Sequence, residues 1–138
     1  MRNLFSKPAK PDWPGEPAEA IAAVFEHLAN SRDNTAVLTV DAARNYYAQV
    51  TSGAIDKPLI AEVVGDAYLA AADRVDDTRS ERLRQDGWRL GESGNWTREF
   101  ESWDTGTTRR QIADDIVRAL DTFPLPAGYR LAAVKTFR

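Results

Sequence analysis

The sequence predicts an α+β fold, with helices packed on a mainly antiparallel sheet. Three observations carry that expectation. Two segments, near residues 17–30 and 107–120, repeat apolar residues at helical spacing. Several runs between and after them alternate apolar and polar residues, as half-buried strands do. Most of these strands follow one another through short turns, which favours antiparallel pairing over a βαβ arrangement.

The elements follow in order. Residues 1–16 form an expected flexible arm, because Pro8, Pro11, Pro14 and Pro17 oppose regular structure until the last of them. Residues 17–138 form the expected single domain. A first helix runs from Pro17 to Asn30, with Ile21, Val24, Phe25 and Leu28 as its apolar stripe. Thr35–Val40 alternates, with Ala36, Leu38 and Val40 on one face. Asn45–Thr51 sets Tyr46, Ala48 and Val50 against Tyr47 and Gln49. A loop holding Gly53 leads to Leu59–Val64, apolar and β-branched enough for an interior strand. Ala67–Ala72 reads equally as a helical turn or an extended linker.

Thr78 and Glu81 have capping-box spacing, and Gly87 sits where a helix C-cap glycine belongs. Trp88–Leu90 and Trp96–Phe100 form a hairpin around residues 91–94. Thr107 or Thr108 caps the last helix, and Pro124 stops it. The order is α-β-β-β-α-β-β-α, with a further strand expected over Tyr129–Phe137.

Composition narrows the function. The chain has no cysteine, which excludes disulfides and thiolate chemistry and fits a reducing cytoplasm. A net charge of −3 argues against nonspecific nucleic-acid binding, and no apolar run is long enough to span a membrane. His27 is the single histidine, so no histidine-based metal site or nucleophile–base pair is expected. Asp73, Asp76 and Asp77 lack the spacing of a calcium loop, and Asp77 suits a helix N-terminus instead. No phosphate-binding, nucleophile-elbow or zinc-protease motif occurs. The expectation is a protein without catalysis, cofactor or metal.

The four tryptophans leave two readings open: an exposed apolar patch that marks a partner surface, or a sealed helix-to-sheet interface. Trp96, Arg98 and Phe100 share a strand face. The favoured arrangement has the rings covering the core with the Arg98 stem between them.

The run Tyr46-Tyr47-Ala48-Gln49-Val50, then Leu59-Ile60-Ala61-Glu62-Val63-Val64, then Leu83-Arg84-Gln85-Asp86-Gly87-Trp88 and Asn95-Trp96 resembles the actinobacterial TY-Chap domains. These are grouped with type III secretion chaperones and YbjN-like proteins as peptide-binding chaperones. Gln49, Glu62, Leu83, Gly87-Trp88 and Asn95-Trp96 fill the places of the family pattern, from about Pro17 to Leu120. The chain departs from it in having Gly91–Gly94 where a proline often precedes the Asn-aromatic strand, and in adding a C-terminal strand.

The resemblance implies a secretion-chaperone-like fold and an extended peptide or protein client. By analogy it also implies a homodimer. The contacts expected for the client are Tyr47, Trp88, Trp96 and Phe100, provided their rings are accessible; full burial would make them core residues. A second class stays open: an immunity-type inhibitor or regulatory protein that binds one folded partner. A rigid acidic docking face would favour that class, and an open apolar groove the chaperone.

Overall fold

A computed structural model describes residue 13 and residues 15–52, 57–74 and 76–138. The expected arm therefore lies outside the described residues except for Trp13, Gly15 and Glu16, and the Gly53 loop lies outside them as well.

Helix α1 (Pro17–Asn30) begins with proline in its first turn and buries Ala20, Ile21, Val24, Phe25 and Leu28. Strands β1 (Thr35–Asp41), β2 (Tyr46–Ser52) and β3 (Leu59–Val63) follow as an antiparallel meander. Asn45, in the turn before β2, adopts a positive φ of 62°, a conformation that asparagine tolerates better than most residues. The ambiguous stretch after β3 resolves into two 3-10 turns, Asp66–Tyr68 and Ala71–Asp73. Helix α2 (Asp77–Gln85), β4 (Arg89–Leu90), β5 (Trp96–Phe100), α3 (Gly106–Leu120) and β6 (Ala133–Phe137) complete the order.

The end of α2 shows how local sequence fixes a tertiary position. Gly87 has φ +93°, and its N–H donates to Arg84 O, while the Trp88 N–H donates to Leu83 O. These two bonds satisfy helix-terminal carbonyls and bring Trp88 back over Leu83, where both side chains are buried.

The sheet order is β4-β5-β3-β2-β1-β6, antiparallel throughout. The expected C-terminal strand exists, shortened to five residues, and it flanks β1. Helices α1 and α3 pack on each other and on one sheet face. That face carries Ala36, Leu38, Tyr46, Ala48, Val50, Leu59, Ala61 and Val63, all fully buried. The alanines leave room for the helices to approach, while Tyr46 stacks on Phe123 at 4.3 Å and donates its hydroxyl to Asp73 O. Burial, helped by the Asp73 carboxylate, raises the pKa of the Tyr46 phenol.

Candidate functional site: the open face of the sheet

Among the described residues, the alternation that buries one face leaves the other without helices. Registered pairing places Thr39, Val37 and Thr35 of β1 beside Ala133, Lys135 and Phe137 of β6, and Gln49 of β2 opposite Glu62 of β3. Tyr47 lies on this face too, half-buried. Val37, Thr39, Tyr47 and Gln49 line a shallow depression of about 360 Å³. Two large apolar side chains stand exposed on the same face, Ile60 at 42 % and Phe137 at 39 %.

A polar network bounds the depression on the β3 side. Asn95 donates from Nδ2 to the Tyr47 hydroxyl at 3.5 Å and accepts the Gly65 N–H at Oδ1, 3.0 Å away. Ser93 Oγ donates to Glu62 Oε1 at 3.2 Å, and the Tyr68 hydroxyl donates to Ser93 O. These bonds draw the hairpin at residues 91–94 against the end of β3. The approach is so close that a Cβ on Gly65 would sit 1.8 Å from Gly94 O.

The expected contact residues separate. Trp88 is 0 % exposed, Trp96 5 % and Phe100 8 %. All three belong to the core, so they are corrected here from surface contacts to packing residues. The reason is register: Trp96 and Phe100 pair with Val63 and Leu59, which point toward the helices. Trp88 meets Phe100 edge-on, and its Nε1 has no hydrogen-bond partner among the described residues. Arg84 lies over the Trp96 ring at 5.3 Å. Arg98 stacks on Phe100 at 4.6 Å and reaches Asp115 at 3.5 Å, so the favoured interleaved arrangement is the observed one. Only Tyr47 of the four lies on the accessible face. Sequence reasoning set Gln49 on its face but did not mark Val37 or Ile60, because no local pattern says which sheet face the helices leave bare.

His27 is a boundary residue. Its Nε2 lies 2.9 Å from Asp33 Oδ2, the oxygen that also accepts the Thr136 hydroxyl at 2.9 Å, and Trp13 packs edge-on to its ring. The hydrogen bonds from His27 and then Thr136 hold the Asp33 carboxyl below its ordinary value of 3.8. Among the described residues no group of histidine, aspartate and glutamate side chains is arranged to hold a metal ion.

Among the described residues the helix-backed antiparallel sheet carries one bare, partly apolar face, the kind of surface that suits a partner. The chain belongs to the TY-Chap3 family, described as "T3SS (YopN, CesT) and YbjN peptide-binding chaperone 3", whose model matches residues 12–128. No curated protein and no solved structure matches it. No helix among the described residues is long and apolar enough to cross a membrane.

Proposed function

We propose that this protein is a non-catalytic, chaperone-like binder that holds an extended segment of a client protein against the open sheet face beside Tyr47. The observation that carries the proposal is the bare face itself. In a family described as peptide-binding, it combines a central depression with exposed Ile60 and Phe137. Tyr47 offers a large ring with few torsions to freeze, and Gln49 beside it carries donors and an acceptor suited to a peptide main chain. Trp88, Trp96 and Phe100 enter this proposal as the packed layer beneath the sheet. Action in the cytoplasm belongs to the same proposal, by analogy with the family. Homodimerisation follows from the family analogy and is tested by sedimentation.

Affinity selection from a synthetic nonapeptide library tests the site. Wild-type protein is expected to enrich defined sequences, with Tyr47→Ala and Val37→Asp each weakening them by about tenfold, or about 1.4 kcal/mol. Circular dichroism confirms that both variants are folded. Enrichment that survives in both variants overturns the site, and no enrichment by wild type overturns the function.

A further inference from the structure

Strand β6 forms the edge of the sheet opposite β4. It pairs with β1 from Thr35 opposite Phe137 to Thr39 opposite Ala133, yet it lies beyond residue 128, where the family match ends. Its side chains alternate between exposed and half-buried, and none is buried. Of its residues only Val134 packs against the core. Apolar burial, the main stabilising term in a sheet of this kind, is therefore small for this strand. Among the described residues a polar clasp also holds it, in which Thr136 donates to the Asp33 oxygen that His27 also engages. The connection is fastened upstream, where the Tyr129 hydroxyl donates to Asp121 Oδ1 at 3.1 Å. Between that fastening and β6, Leu131 packs against the core and the Ala132 N–H donates to Thr39 O at 2.7 Å.

We propose that β6 is a placeholder, occupying in cis the edge of β1 at which a client segment adds as a strand and which that client takes by displacing β6. The proposal rests on the peptide-binding function above and specifies how the client lies. Ladder bonds lost with β6 are remade with the client, so main-chain hydrogen bonding changes little and side chains decide the outcome.

The chemistry of the client is written in β6. Val134 and Thr136, two residues apart, sit on the helix-covered face, with the Thr136 donor at the Asp33 carboxylate. A client strand therefore carries a compact β-branched residue at the first position. At the second it carries a hydroxyl or ammonium donor, because an acidic side chain there would face Asp33. Its alternate residues lie on the open face, next to Val37 and Thr39 at the depression beside Tyr47.

The test uses a fluorescent peptide of residues 131–138 titrated into the full chain. Saturable binding is expected, weakened at least about tenfold by Thr136→Glu in the peptide. Both peptides are titrated into wild-type protein. A second arm locks the strand through Val37→Cys with Lys135→Cys, positions directly opposite each other in a chain with no other cysteine. Oxidation of that variant is expected to weaken peptide binding at least about tenfold relative to its own reduced form. The placeholder is overturned by any of three results: no binding to wild type at about 1 mM peptide, equal binding of the Thr136→Glu peptide, or equal binding by the oxidised form. If library peptides still bind through Tyr47 in that event, only the placeholder falls; if they do not, the peptide-binding function falls separately.

Discussion

A methyl group at position 87 meets a backbone obstacle, because Gly87 has φ +93° while the space around a Cβ there is ordinary, with Arg98 Nε 3.4 Å away. Gly87→Ala is expected to lower stability by about 1 kcal/mol in urea unfolding, and an unchanged midpoint would remove this account of the α2 terminus. Gly65 is constrained differently, since its Cβ would overlap the Gly94 carbonyl. Gly65→Ala must push the 91–94 hairpin away and should cost about 1–3 kcal/mol. The first of these glycines is legible in the sequence, because a helix end has a local grammar. The second is not, because its constraint comes from a hairpin distant in the chain. Asp33 supplies a pH prediction. Its folded pKa is depressed, so its contribution is present above the unfolded value near 3.8 and is lost as pH falls through the lower folded value. Asp33→Asn should therefore be less stable than wild type by about 1 kcal/mol at neutral pH, with the gap closing well below pH 3.8. A gap that persists in acid would show that the charge is not its source.

At the scale of elements, caps decide boundaries that periodicity leaves loose. The sequence points to Thr107 or Thr108 as the cap of α3 and to a box formed by Thr108 and Gln111. The structure shifts the cap to Thr105, which accepts the Thr108 N–H at 3.1 Å while Thr108 Oγ1 accepts the Thr105 N–H. Threonine serves at both ends of this box, which a search for a later glutamate or glutamine passes over. Thr105→Ala should cost about 1 kcal/mol and Thr107→Ala almost nothing, as thermal unfolding would show. Helix α2 makes the same point: Asp76 accepts the Arg79 N–H and caps the helix in place of Thr78. The last strand begins at Ala133 instead of Tyr129, because Gly128 turns with φ +72° and Tyr129 is bound to Asp121.

For the whole molecule, alternation was enough to read the two faces of β1 and β2, and with them most of the core. It could not say which face the helices cover, since Tyr46 and Tyr47 are equally large and adjacent. The sequence thus leaves Trp96 and Phe100 open between contact and core, and they fold as core. Trp88→Ala is accordingly expected to lose about 3–5 kcal/mol, whereas Tyr47→Ala should stay within about 1 kcal/mol of wild type. Comparable losses at both positions would contradict the assignment of faces. The strand order also has a meaning in time. Asp33 and Thr136, which fasten the sheet's outermost strand, are separated by 103 residues. At a synthesis rate of about 5–20 residues per second, the outer edge of β1 waits roughly 5–20 s for its own later strand to emerge. During that interval the nascent chain offers an unpaired edge to any extended segment nearby. Closing that edge is therefore the last strand pairing the chain can make.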